Sequence, residues 1–317
     1  MRWLAMQVCK KQLMNIKMIK INSVSLFIPA AIPAIVLAAG LFMTSTVQAA
    51  RSDMHGQEAE VYIGNENLSS AKSGPGQKFA ARKSSLTLPL ERKSNRSEMF
   101  SSHFHLDITE FDWRGTTAAQ KEYLWLSMPI EYQQQRGGNN LFLIDFEPGL
   151  MTDGENVGID YVGINVSVVG RRLLGNGGFW QYGLIIDRAF GDYNVRPLLG
   201  LGWQASRQTW VELGFPNINI KHGFTNALQG YFLIKPAGGV WKEEIKTPTT
   251  EDEVNLQYRN WQVGFGANFH WRSSVWLNVE LGQLRNRRVL AYDETLASIN
   301  GTLQQSQYWR IGASLRY

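Results

Sequence analysis

From about residue 99 to the C-terminus, apolar and polar residues alternate in short segments separated by turn-forming residues. In one segment, Leu124, Leu126 and Met128 occupy every second position. Successive side chains of a β-strand point to opposite faces, so this alternation predicts strands with one apolar face. We predict twelve strands, over residues 99–113, 122–134, 140–151, 156–169, 179–190, 194–205, 208–218, 224–235, 238–246, 254–271, 274–285 and 306–317.

The lengths and connections of these strands fit a membrane-crossing sheet. Each strand has roughly the 9–11 residues, or slightly more, that a tilted transmembrane strand needs. If both ends of the series lie in the periplasm, odd-numbered strands should lead into the longer outer loops. The two longest polar connections, 247–253 and 286–305, follow odd-numbered strands, as expected. Ten and fourteen strands are the alternatives, and fourteen would require the segment 84–91 and one more.

The C-terminus carries a more specific signal. Arg310, Gly312, Leu315 and the terminal Tyr317 resemble the closing-strand signature of bacterial outer-membrane β-barrels, which the barrel-insertion machinery reads as an assembly signal. A closed barrel pairs all its backbone donors and acceptors between strands, so it can cross lipid without an exposed edge. We therefore predict an all-β, antiparallel, up-and-down barrel over residues 99–317, in the outer membrane of a Gram-negative bacterium.

The N-terminal residues are typical of an export signal. Five basic residues precede an uncharged stretch from Ser23 to Ala50, which contains the small-residue sequence Val47-Gln48-Ala49. We predict a signal peptide over residues 1–49. The basic region is long, so translation could start at Met18 instead of Met1. The alternative is an uncleaved membrane anchor, which Pro29 and Pro33 disfavour.

Residues 50–98 differ in composition from the barrel region. Ser, Gly, Lys, Arg and Asn dominate, and apolar residues are scattered. This composition predicts a flexible periplasmic segment or a partial plug. The short alternation at 86–90 could pair as an edge piece of the sheet, limited by Pro89.

Charge and cysteine content exclude several classes of function. All five charged residues of 1–49 are basic, so the remainder has 27 basic and 27 acidic residues and no basic patch for nucleic acid. The single cysteine, Cys9, lies in the predicted signal peptide, so the mature chain has no disulfide, thiolate ligand or lipid-bearing cysteine. No cofactor is predicted.

Three glycine-rich aromatic segments carry a family resemblance. Residues 196–203, 210–218 and 238–241 resemble a family of uncharacterised proteobacterial outer-membrane barrels. The resemblance implies a barrel over about residues 100–317 and brings no catalytic residues.

Strand parity places several charged residues in the predicted lumen. The carboxylates are Asp107, Glu131, Asp145, Glu147 and Glu280, and the expected partners are Arg196 and Arg310. Charges in a narrow lumen lose hydration and must be paired. The network either fills the barrel structurally or acts as a selectivity filter for small charged or polar solutes.

Two other groups have candidate ligands. His103 and His105 lie two apart on one strand, so both face the lumen beside Asp107, where they could hold a divalent metal. Arg285, Arg287 and Arg288 leave a strand at the outer surface, and guanidinium groups match the phosphates of lipopolysaccharide. Both groups could instead be ordinary polar lumen or loop residues.

These features favour a narrow, porin-like channel for passive passage of small polar or charged solutes. The alternatives are a non-conducting barrel with a structural or surface-interaction role and, less favoured, an outer-membrane lipid hydrolase. A hydrolase needs a nucleophile, a base and an orienting group, and no serine lies convincingly beside a strand histidine in the sequence. The expected partners are outer-membrane lipids and lipopolysaccharide, with the insertion machinery during assembly.

Overall fold

The computed structural model describes residues 60–74, 77–115, 122–154, 158–175, 177–246, 251–292 and 296–316. The predicted signal peptide, residues 50–59 and Tyr317 lie outside the described residues. Sixteen strands occur within the described part: β1 Glu60–Gly74, β2 Gln77–Ser94, β3 Glu98–Arg114, β4 Glu122–Ser127, β5 Ile130–Arg136, β6 Asn140–Thr152, β7 Val162–Leu173, β8 Phe179–Ile186, β9 Arg196–Ser206, β10 Thr209–Phe215, β11 Ile218–Thr225, β12 Leu228–Lys246, β13 Glu251–Arg272, β14 Val275–Tyr292, β15 Ser298–Thr302 and β16 Ser306–Arg316.

The strands form one closed antiparallel ring. β1 pairs with β16, with Gly64 opposite Gly312, and this pairing closes the barrel. β4 and β5 together make one wall strand between β3 and β6, interrupted at Met128 and Pro129. β15 and β16 likewise share one neighbour, β14. The ring therefore has fourteen strands, which confirms the predicted fold class and selects the higher alternative for the strand count.

The two additional strands come from the segment that was expected to be flexible or to act as a plug. Residues 60–94 form β1 and β2, which lie in the barrel wall between β16 and β3. That expectation is wrong for these residues. The apolar pattern is weak here because polar residues such as Asn65 and Ser84 pair across the two strands, with Asn65 donating to the Ser84 hydroxyl at 3.1 Å.

The region 208–246 contains three strands, as predicted, but with different bounds. The chain turns at Pro216 and Asn217 and again at Asn226 and Ala227. It does not turn at Pro236, because β12 continues to Lys246 with Pro236 opposite Trp261. β11 pairs with β12 only as far as Ile234, so Pro236 lies where that edge has no strand neighbour and its missing N–H is tolerated.

The unequal lengths of neighbouring strands give the barrel an uneven wall. β12, β13 and β14 have 19, 22 and 18 residues, whereas β8, β10 and β11 have 8, 7 and 8. The end that carries the C-terminal residues of β16 and the short turns is the periplasmic end, as in barrels of the outer membrane. Above the short strands, the loop 187–195 between β8 and β9 packs against the upper part of β12. We call it the β8–β9 loop.

The outer surface of the ring carries a band of exposed apolar side chains. Large apolar and aromatic residues point outward on successive strands, among them Leu126, Val168, Leu184, Leu201, Leu213, Phe265, Val279, Leu281 and Ile311. A band of this kind is what lipid requires on the outside of a barrel. The fold is therefore a membrane-spanning β-barrel.

Deleting residues 60–94 should abolish folding of the barrel. The deletion removes β1 and β2 and leaves the edges of β3 and β16 unpaired, which lipid does not tolerate. We expect loss of the heat-modifiable folded band on a gel after refolding into detergent or vesicles. A folded barrel with larger conductance would instead support a plug.

Candidate functional site

The lumen contains one large cavity, of about 570 Å³. Strands β1, β2, β3, β12, β13 and β16 contribute most of its lining. The charged lining residues are Glu60, Glu66, Lys83, Asp107, Glu147, Asp187, Arg188, Lys221, Lys235, Arg310 and Arg316. We call this space the lumen cavity, and its lining combines these charged side chains with apolar ones such as Leu68, Leu233 and Trp241.

Glu280 is the centre of one polar cluster in the wall of this cavity. Its carboxylate is 1% exposed and is ion-paired with Arg310. It also accepts hydrogen bonds from the Tyr308 hydroxyl at 2.8 Å and the Tyr231 hydroxyl at 2.7 Å. Glu280, one of the five predicted lumen carboxylates, is thus paired with Arg310, one of the two arginines expected as partners, and two tyrosines that the sequence did not single out complete the cluster.

Asp107 is the centre of a second cluster, on β2 and β3. Lys83 Nζ lies 2.7 Å from one carboxylate oxygen, and the Ser85 hydroxyl donates to the other at 2.6 Å. His105 Nε2 lies 3.1 Å from Asp107, and His105 Nδ1 lies 2.9 Å from the Thr87 hydroxyl. Thr87, His105 and Asp107 thus form a hydroxyl–imidazole–carboxylate chain. This chain could not be predicted from the sequence, because Thr87 and Ser85 lie in the segment that was expected to be flexible.

The other three predicted carboxylates have neutral partners. Glu131 accepts from Ser101 at 3.2 Å, and Asp145 accepts from Ser167 at 2.5 Å. Glu147 accepts from Trp125 Nε1 at 2.9 Å, Ser127 at 2.6 Å and Asn165 at 2.7 Å. The expectation that these carboxylates pair with Arg196 or Arg310 is wrong, because their hydrogen bonds come from hydroxyl, indole and amide donors on neighbouring strands.

Arg196 does not join the lumen network. It is ion-paired with Asp192 in the β8–β9 loop, and its guanidinium carbon lies 4.2 Å from the centre of the Phe190 ring. Desolvation would raise the pKa of Asp192, but hydrogen bonds from Arg196 and the Asn194 N–H outweigh it and lower the pKa. The role of Arg196 is therefore to order this loop.

Aromatic side chains fill the lumen towards the outer end. Phe79, Phe111, Tyr123, Trp241 and Tyr258 are all buried and contact one another, with ring centres 5.2–6.0 Å apart. We call these five rings the aromatic plug. Together with aliphatic neighbours they form the main apolar core of the protein. The lumen cavity is therefore closed towards the outer surface in this structure.

The β8–β9 loop adds a charged group to this closure. Arg188 is 5% exposed, and its guanidinium carbon lies 4.5 Å from the ring centre of Trp125 and 4.9 Å from that of Trp241. Its Nε and Nη2 atoms have no hydrogen-bond partner in the described part of the chain. Two of the hydrogen bonds that hold the loop lie beside this side chain: the Arg188 N–H donates to Asn165 Oδ1 at 2.9 Å, and the Ala189 N–H donates to Asp187 Oδ1 at 2.8 Å.

Arg287 is also inside the barrel, and its predicted contact with lipopolysaccharide is wrong. It is 0% exposed and donates to the Tyr258 hydroxyl at 3.1 Å and the Ser306 hydroxyl at 2.6 Å. A register shift between Arg285 and Arg288, with Asn286 at φ 48°, turns Arg287 inward. Arg285 and Arg288 remain exposed, so a phosphate contact stays a prediction for these two residues.

The other predicted sites have mixed outcomes. His103 and His105 share the lumen side of β3, but the described residues contain no group of three or more His, Cys, Asp or Glu that could hold a metal. Both ring nitrogens of His105 are engaged by Thr87 and Asp107. In the closing strand, Gly312 faces the Tyr62 ring, which would clash with a side chain at that position, and Leu315 pairs with Val61. Recognition by the insertion machinery stays a prediction.

Comparison with known proteins adds information on the fold only. No family model and no curated protein sequence matches the chain. Among solved structures, an outer-membrane channel from Pseudomonas putida F1 is 12% identical with a TM-score of 0.45, covering 86% of this chain and 100% of that one. The toluene transporter TodX of Pseudomonas putida is 11% identical with a TM-score of 0.34, covering 83% and 90%. LpxR from Salmonella typhimurium is 9% identical with a TM-score of 0.36, covering 81% and 100%.

These neighbours are outer-membrane β-barrel proteins. The chain is an outer-membrane β-barrel. At such low similarity the neighbours do not indicate what this barrel carries or does, so function has to be argued from the lumen itself.

Replacing Glu280 with Gln should destabilise the barrel strongly. The change leaves Arg310 buried without its charge partner, which costs about 3–5 kcal/mol. We expect the double variant Glu280→Gln/Arg310→Gln to lose less than the sum of the two single variants, as measured by urea unfolding in lipid vesicles. The control is Glu91→Gln, which breaks the exposed pair with Lys93 and should change stability by about 1 kcal/mol or less. Equal effects of Glu280→Gln and Glu91→Gln would contradict the assignment.

Proposed function

We propose that the protein is an outer-membrane channel for small polar or charged solutes, gated at its outer end by the β8–β9 loop. The observation that carries this proposal is how the lumen is closed at its outer end. A charge-lined cavity leads to a closure in which Arg188, the cation between Trp125 and Trp241, belongs to a loop rather than to a wall strand. A loop can move without breaking the strand ladder that keeps the barrel closed.

The energetics of Arg188 are consistent with a gate. Two desolvated cation–π contacts stabilise the closed position, each by about 2 kcal/mol. The unpaired Nε and Nη2 atoms oppose it, since a buried donor without a partner costs about 1–3 kcal/mol. The opposing contributions are of similar size. A closed and an open loop position would then differ by only a few kcal/mol, which solutes or membrane conditions could reverse.

The segments that resemble uncharacterised proteobacterial barrels surround this gate. Residues 196–203 lie in β9, residues 210–215 form most of β10, and residues 238–241 lie in the part of β12 against which the loop packs. We propose membership of that family on this basis. Arg285 and Arg288, exposed on β14, would contact the phosphates of surrounding lipopolysaccharide.

Arg188→Ala should raise conductance of the refolded protein in planar lipid bilayers. The substitution removes both cation–π contacts and the side chain that fills the space beside Trp125 and Trp241. A net loss of about 1.4 kcal/mol from the closed position would increase the open fraction about tenfold. The control is Arg207→Ala, since Arg207 is exposed in the turn between β9 and β10. If neither wild type nor Arg188→Ala passes current, although both show the heat-modifiable band of a folded barrel, the barrel does not conduct. A structural or surface-interaction role would then replace the channel.

Hydrolysis is a second candidate, favoured by one specific observation. If His105 donates from Nε2 to Asp107, its Nδ1 is free to accept the Thr87 hydroxyl proton, which is the arrangement that activates an oxygen nucleophile. His105 and Asp107 line the lumen cavity, so the substrate would be an ester small enough to enter it.

Thr87→Val tests this candidate directly. Because the change keeps the shape and removes the hydroxyl, we expect it to abolish any hydrolysis of p-nitrophenyl acetate, while Thr87→Ser retains it. A positioned base accounts for about 100-fold or more in rate. The hydrolysis rate of the His105→Gln variant should therefore be lower than that of wild type by at least that factor. If wild type hydrolyses p-nitrophenyl acetate no faster than buffer without protein, hydrolysis of this ester is excluded.

A further inference from the structure

The surroundings of Arg188 have the composition of a cation-binding site. The guanidinium lies over two indole rings, at 4.5 Å from Trp125 and 4.9 Å from Trp241. Tryptophan is the aromatic side chain that attracts cations most strongly. A hydrogen bond of 2.9 Å from Trp125 Nε1 to Glu147 holds the first ring in place. The rings therefore offer two indole faces to the bound charge, and a hydrogen bond holds the first of them in place.

Carboxylates in the lining of the lumen cavity complete the site. Asp107, Glu147 and Asp187 line this cavity and all three interact electrostatically with the Arg188 guanidinium. Asp107 is already ion-paired with Lys83. Glu147 accepts hydrogen bonds only from the neutral groups of Trp125, Ser127 and Asn165 among the described residues, and Asp187 accepts from the Ala189 N–H. Neither forms a close ion pair with a lysine or arginine within the described part of the chain. If Arg188 left, both carboxylates would lose the effect of its charge, and the two indole faces would be open to another cation.

We propose that Trp125, Trp241, Glu147 and Asp187 form a binding site for a small organic cation, and that Arg188 occupies this site as a tethered ligand. The chemical class of the ligand follows from the Arg188 guanidinium that now occupies the site. The ligand would be a guanidinium or alkylated ammonium ion with a short substituent. Such a solute would reach the site through the lumen cavity and compete with Arg188. Displacement of Arg188 would release the β8–β9 loop, and this second step rests on the proposed channel function.

The tether determines how strong the competition must be. A group attached through a short loop has an effective local concentration on the order of millimolar or above. A free cation is therefore expected to displace Arg188 only weakly from the wild-type protein. Removing the tethered group should reveal the site, so that the same cation binds at clearly lower concentration.

The test is chemical rescue of Arg188→Ala in the full mature chain, refolded into lipid vesicles. The probes are methylguanidinium and choline, and methylurea is the neutral control of similar shape. We expect both cations to raise the urea midpoint of unfolding of Arg188→Ala saturably and to change its tryptophan emission. Methylurea should do neither, and wild type should respond only at about tenfold or higher cation concentration.

Further variants separate binding at this site from general effects of salt. Arg188→Ala/Trp241→Leu should lose most of the response, because one indole face is gone. Arg207→Ala, altered at an exposed turn, should respond like wild type. Arg188→Gln serves if Arg188→Ala does not fold, because it keeps a long side chain without the charge. Equal responses to methylguanidinium and methylurea in the folded Arg188 variants would overturn the inference.

Conductance of the same variants distinguishes this inference from the proposed function. Saturable cation binding by a barrel that never conducts would support the site and refute the channel. Increased conductance of Arg188→Ala without preferential cation binding would support the gate and refute the site. If methylguanidinium binds Arg188→Ala and also reduces its conductance, both proposals are supported, and the binding site and the gate are the same place in the lumen.

Discussion

The rest of the structure depends on one constraint, the pairing of every backbone N–H and C=O within lipid. An open sheet would expose unpaired groups to hydrocarbon, so the chain must return to its first strand. The pairing of β1 with β16, from Glu60–Arg316 to Leu68–Tyr308, meets this requirement. Residues 60–94 are consequently part of the wall, despite a composition that is typical of a flexible segment.

Closing the ring creates an interior, and the protein fills its two halves differently. Around the lumen cavity, carboxylates are paired or hydrogen-bonded, as with Glu280 and Asp107, because unpaired charges in a narrow lumen are costly. Towards the outer end, aromatic rings pack into a dense core around Tyr258 and Phe111. This core stabilises the barrel and closes the lumen towards the outer end in this structure.

The uneven wall explains where movement can occur. Strands β10 and β11 end early, and the upper part of β12 has no strand partner on that edge. The β8–β9 loop covers this edge, and Gly191, at φ 76°, brings its backbone against Tyr258 and Arg259. Arg188 thereby reaches the lumen from a loop. The loop lies outside the backbone ladder of the wall and is bonded to β7 through the Asn165 side chain. It is the part of the closure that the proposed gate would move.

The sequence by itself determined the alternation of faces, the closing strand and the membrane-spanning antiparallel barrel. It also predicted the inward direction of Glu280, Arg310, Asp107, His105 and Glu147, because side-chain parity is a local property of a strand. It indicated part of β2, through the alternation at 86–90 that the fourteen-strand alternative needs, but not β1, where polar residues such as Asn65 and Asn67 interrupt the apolar pattern. Nor did it indicate that Arg287 turns inward at a register shift or that Arg188 enters the lumen from a loop. Those features depend on the register between strands distant in sequence and on unequal strand lengths, and only the tertiary structure decides them.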